Sequence, residues 1–132
     1  MNKRPKILVV SQDEILCRSR KMILGTFFDA ECAARISEAR ARIIASQFDL
    51  IVLCHSLRND EGQSLTSLAR TQSPHPLILA MREFCSEDVK PWADRTLEGD
   101  AGPYDLVKIC AEMLGFPLRR NLKKPPLPLS AA

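Results

Sequence analysis

At 132 residues the chain is sized for one domain, about 100 to 150 residues being usual, so its function must come from one core and its termini. Hydrophobic residues make up 45% and charged residues 27%, a balance that excludes a disordered or fibrous chain. The net charge of +3 is unevenly spread: residues 1–6 and 116–132 hold seven basic residues and no acid, so the interior is mildly acidic and a basic nucleic-acid-binding core is not expected.

Residues 1–5 read as a short basic arm, followed by an apolar run from Lys6 to Val10. That run is too short for a signal peptide, because polar Ser11, Gln12 and Asp13 end it at once, and a cytoplasmic location is expected. No apolar run approaches the roughly 20 residues that cross a bilayer. A first helix is expected from Asp13 to Leu24, with Ile15, Leu16, Ser19, Met22, Ile23 and Phe27 on its inward face. Ser11 and Glu14 have the spacing of a capping box.

A weaker apolar run, Ala30 to Ile36, precedes a second helix from Ser37 to Ser46 with Ala39, Ile43 and Ile44 inward. Asp49 to Cys54 reads as a third strand, and Glu61 to Thr71 as a helix burying Leu65, Leu68 and Ala69. Pro76 to Met81 reads as a fourth strand. After it comes a short helix candidate with Ser86 as N-cap, limited by Pro91, then a poor strand candidate at Arg95 to Glu98. The last helix, Pro103 to Leu114, places Leu106, Ile109, Cys110 and Met113 at i, i+3, i+4 and i+7 and stops at Gly115.

Short apolar runs alternating with helical spacings predict an α/β fold: a single (βα)5 doubly wound parallel sheet with helices on both faces, a three-layer sandwich. Sites in such sheets lie at the carboxyl ends of the strands, which here are Ser11 to Asp13, Cys54 to Asn59, Met81 to Glu83 and Glu98 to Asp100. Beyond Gly115, FPLRRNLKKPPLPLSAA carries four prolines, four basic residues and no acid, and reads as a flexible or polyproline-like tail over 116–132. It contains a P-x-x-P spacing and suits an acidic partner, a membrane surface or nucleic acid, or else has no dedicated role.

Cys17, Cys32, Cys54, Cys85 and Cys110 are odd in number, widely spaced and form no C-x-x-C pair. Reduced, mostly buried thiols are expected, with no disulfide framework, metal site or cofactor.

The segments KILVV and FDLIVLCHSLRNDEG resemble the first strand, and the third strand with its following loop, of response-regulator receiver domains. Asp49, Leu50, Leu53 and Gly62 match the pattern of that third strand and loop, and the resemblance covers Lys6 to Leu114. It implies a flavodoxin-like receiver fold and a role in two-component phosphorelay signalling. It also implies a pocket that has lost its chemistry. The family's phosphoacceptor aspartate falls on Cys54, and its two Mg²⁺-binding acids fall on Ser11 and Gln12, with Asp13 one position late. The Thr or Ser of the fourth strand falls on Met81, or on Ala80 one register earlier; the fifth-strand lysine falls on Gly99 and the aromatic switch residue on Thr96.

Phosphoryl transfer to a carboxylate needs a nucleophilic oxygen, hard ligands for Mg²⁺ and a cation for the new charge. A thiol at Cys54, neutral Ser11 and Gln12, and Gly99 supply none of these. The expected function is therefore a stand-alone pseudo-receiver, a phosphorylation-independent protein-interaction module and not an enzyme. Its face would include Trp92, Thr96, Tyr104 and Lys108, meeting a signalling protein or a second copy in a homodimer. Two alternatives are a redox sensor or enzyme using Cys54 and a small-ligand module using the emptied pocket. Strand alternation sends Cys54 and His55 to opposite faces, so His55 is not expected to activate the thiol.

Overall fold

The computed structural model describes residues 4–82, 90–98 and 101–118. Within them the chain runs β1 (Lys6–Val10), α1 (Glu14–Gly25), β2 (Asp29–Ala33), α2 (Ile36–Ala45), β3 (Leu50–Leu53), α3 (Asn59–Ala69), β4 (Leu77–Arg82), β5 (Arg95–Glu98) and α4 (Pro103–Leu114). The helix expected near Ser86 lies outside the described residues. α4 is the last helix expected from the sequence.

All strand pairings are parallel, in the order β2-β1-β3-β4-β5. This order explains the uneven strand signals. β1 and β3 are central and read as continuous buried apolar runs, whereas β2 and β5 are edges and carry exposed or half-buried residues. The chain reverses direction across the sheet between β1 and β3, so their carboxyl ends frame the crevice in which such folds place a site.

Alternate strand residues build two cores. Ile7, Val9, Leu50, Val52 and Leu79 pack under α1 and α4 with Cys17, Leu24, Leu106 and Cys110. Leu8, Val10, Ile51, Leu53 and Ile78 pack under α2 and α3 with Ala39, Ile43, Leu65 and Ala69. Gly115 closes α4 in the left-handed conformation, with φ 63°, where a side chain would be strained. Among the described residues, no helix is long and apolar enough to cross a membrane.

Three expectations change. The inward face of α1 is Cys17, Arg20 and Leu24, with Leu16, Ile23 and Phe27 only partly buried, while Ile15 and Met22 are 80% and 74% exposed. Two apolar stripes compete on this helix. The one bearing the small Cys17 wins because its thiol sits directly over β1 and β2, 3.5 Å from the Val9 carbonyl and 3.4 Å from that of Ala33. Ile44 points outward and is 65% exposed, because Ala39 and Ile43 already fill the inner arc of α2. Ser11 makes no capping box; Asp13 is the N-cap of α1, its Oδ1 accepting from the Leu16 amide at 3.1 Å.

Packing also continues past both expected borders. Arg4 donates to the carbonyls of Gly25, Thr26 and Phe27 at the exit of α1, which lacks a left-handed cap. Phe116 rests on Phe28, with ring centroids 5.3 Å apart, and Leu118 packs against the same core.

Candidate functional site

The crevice at the carboxyl ends of β1 and β3 is assembled from three chain segments. The β1–β3 register ends at Val10 opposite Leu53, so the next residues, Ser11 and Cys54, leave the sheet side by side. Leu53 pairs with Ala80 in the same way, which sets Met81 on the other side of Cys54. Ser11, Cys54 and Met81 are all buried. The strand register thus brings Ser11, Cys54 and Met81 together at the carboxyl ends of β1, β3 and β4.

Hydrogen bonds close the polar rim. Ser11 Oγ and Ser56 Oγ are 3.1 Å apart, Ser56 Oγ accepts from the Gln12 amide at 3.0 Å, and Ser11 Oγ accepts from the Asp13 amide at 3.2 Å. Gln12 Nε2 donates to Glu61 Oε1 at 2.9 Å, and the same oxygen accepts from the Arg58 amide at the start of α3. Glu61 therefore ties the loop after β1 to the loop after β3. Asp60, beside it, is paired with Arg58, which holds its carboxyl below the ordinary carboxylate range.

Under this rim lies a residue the sequence reading missed. Arg20, two turns into α1, is only 6% exposed, and its guanidinium stands against the Cys54 thiol together with the Ser11 hydroxyl. Both neighbours favour a thiolate. Burial disfavours it more strongly, and the Cys54 thiol is pushed up from its ordinary value. The signal for Arg20 was its spacing of three from Cys17 and four from Leu24, visible once the helix phase is set by Cys17.

Mg²⁺ does not fit these residues. It requires several hard oxygen ligands. Ser11 and Gln12 are neutral, Asp13 is committed to its helix, Glu61 to Gln12 and Arg58, and a buried guanidinium lies beside Cys54. Among the described residues no group of three or more His, Cys, Asp and Glu side chains could hold a metal ion. Gly99 lies outside the described residues.

The residues expected on a docking face do not all meet. Thr96 on β5 and Lys108 on α4 are exposed, and Tyr104 in the first turn of α4 is half-buried. Trp92 packs instead on α3: a Cβ built on Gly62 would come within 2.7 Å of the Trp92 ring. Lys90 lies over the same ring, 5.8 Å from its centroid. Two open cavities of about 480 and 430 Å³ lie around Arg4, away from this crevice.

Several solved structures with the same architecture are receiver domains. The signal receiver domain of an HD domain-containing protein from Pseudomonas fluorescens superposes with a TM-score of 0.73 at 16% identity, covering 87% of this chain and 90% of that one. A response regulator receiver domain protein from Methanospirillum hungatei gives 0.72 at 21% identity, covering 86% and 95%. The chain has the receiver fold. A structure described as an adenylate cyclase from Rhodopirellula baltica is equally similar, at 0.74 and 21% identity over 86% and 89%, so the likeness fixes architecture and not activity. No protein-family model and no curated protein sequence matches the chain.

Proposed function

We propose that this protein is a receiver-fold interaction module of a signalling pathway that works without aspartyl phosphorylation. The observation that carries this reading is the crevice itself, where Cys54 is buried beside Ser11 and Arg20, at positions the receiver resemblance gives to carboxylates. A receiver needs an oxygen nucleophile that can hold a phosphoryl group, and a protonated, buried thiol is not one. The bonds among Ser11, Gln12, Ser56 and Glu61 support the same view, since they tie the loops after β1 and β3 to each other and engage the Glu61 carboxylate. The partner surface in this reading is the edge formed by β5 and α4, with Thr96, Tyr104 and Lys108, while Trp92 braces α3 behind it.

Radiolabelled acetyl phosphate with Mg²⁺ tests the proposal on the full chain. The expected result is no acid-stable or acyl-phosphate label, with a carboxylate-bearing receiver labelled in parallel. Stoichiometric labelling that resists Cys54→Ala would overturn it by revealing another acceptor, and labelling lost in Cys54→Ala would overturn it by making the thiol the acceptor.

A further inference from the structure

Thiols are concentrated under α1. Cys17 lies on the inward face of α1, and its Sγ points between the carbonyls of Val9 and Ala33. Cys32 precedes Ala33 on β2, and its register partner on β1 is Val9. Partners in a parallel register share a face, and Val9 and Cys32 both belong to the core under α1. The Cys17 thiol therefore sits over Cys32, which is one of the neighbours that oppose its ionisation. Cys54 belongs to the same core and also lies near Cys17, but its own hydrogen-bonding neighbours are Arg20 and Ser11. Accessibility separates the pair: Cys17 is fully buried, whereas Cys32 on the edge strand is only half-buried.

We propose that Cys17 and Cys32 form a modification site, a thiol pair that hydrogen peroxide closes to an intramolecular disulfide joining α1 to β2. Cys32, the accessible member, attacks the peroxide. Its sulfur bonds to one oxygen as the O–O bond breaks, the other oxygen leaves as water, and Cys32 becomes a sulfenic acid. The Cys17 sulfur then attacks the Cys32 sulfur, the S–O bond breaks, and the departing hydroxyl takes the Cys17 proton as a second water. Two thiols lose two electrons in total, and one hydrogen peroxide is reduced to two waters.

Burial pushes the Cys17 thiol up to about 12, which makes the second step the slow one and speeds it as pH rises. The bond would pin α1 one turn after its N-cap, Asp13, and so fix the Ser11 to Asp13 loop against the edge of the sheet. This site does not rest on the absence of phosphorylation.

The test is peroxide treatment of the full chain, alkylation of remaining thiols and peptide mapping. The expected product has lost two of the five thiols and two hydrogens, and its linked peptides join Cys17 to Cys32. While the second step stays the slow one it forms roughly a hundredfold faster at about pH 9 than at pH 7, and dithiothreitol reverses it. Cys54→Ser leaves the link intact and Cys32→Ser abolishes it. A link through Cys54, Cys85 or Cys110, or overoxidised Cys32 with no link, would overturn the proposal. Mapping the unmodified sequence decides the matter even where Cys17→Ser fails to fold.

Discussion

The face of the sheet under α1 and α4 contains Cys17, Cys54 and Cys110, with Cys32 against it, and the buried Arg20. The face under α2 and α3 contains none of these; it is filled by Leu, Ile, Val, Ala and Phe48, with Thr66 on α3 as its buried polar side chain. Both faces are built on aliphatic side chains, but only the first sets thiols and a buried cation among them. The difference teaches where the fold stores stability and where it admits chemistry: the crevice and both proposed functional features lie on the softer face.

Core truncations give the sharpest contrast. Ile51→Ala on the face under α2 and α3 should cost about 3 kcal/mol, because a fully buried branched chain leaves a cavity between the sheet and those helices. Cys110→Ala, equally buried on the other face, removes one sulfur and should cost about 1 kcal/mol. Urea denaturation of both variants checks this, and equal losses would break the comparison. Arg20→Ala should cost about 2 kcal/mol, through lost packing of the aliphatic stem and lost bonds of the buried guanidinium, again read by urea midpoints.

Gly62→Ala probes the same face as Ile51, from outside. Alanine favours the helix, but its methyl would meet the Trp92 ring, so Trp92 should swing off α3 at a net cost of about 1 kcal/mol. Trp92 is the only tryptophan, so its fluorescence should shift to the red; unchanged emission would mean that α3 moves instead.

The smallest effect concerns alkaline pH. Burial pushes the Cys17 and Cys110 thiols up to about 12, and that of Cys54 upward as well. Free thiols ionise near about 8.5. Below that pH both folded and unfolded chains keep these protons and the contribution is complete. Above it the unfolded chain releases protons that the folded chain retains, so stability falls as pH rises toward the folded values. Denaturation midpoints should decline from about pH 8 upward, and Cys110→Ala should flatten the slope.

The architecture was legible because the central strands announce themselves. KILVV and DLIVLC are buried on both faces and cannot alternate, which distinguishes them from the surrounding helical spacings. The site was legible only as positions. Ser11, Cys54 and Met81 follow neighbouring strands, and their coming together is a property of the backbone register. The phase of α1 was not legible, since Ile15 and Met22 are as apolar as the residues that are buried, and hydrophobicity cannot choose between two stripes. Arg20 was missed for the same reason: a charged residue is expected outside, and only its neighbours in three dimensions explain its burial. Trp92 was expected beside Thr96 on a surface, but the missing Cβ of Gly62 makes a seat for its ring.

The position of β1 has a consequence for how the chain is made. It is the first strand in sequence yet lies in the middle of the sheet, bonded to β2 on one side and β3 on the other. During synthesis, the apolar segment Lys6–Val10 emerges with both hydrogen-bonding edges open. Asp29–Ala33 can cover one edge early, but the other waits for Leu50–Leu53, by which time α1 and α2 have already been translated. Helices α1 and α2 lie over the two faces of that segment and not over its edge, so the edge that meets Leu50–Leu53 stays open until the third strand arrives.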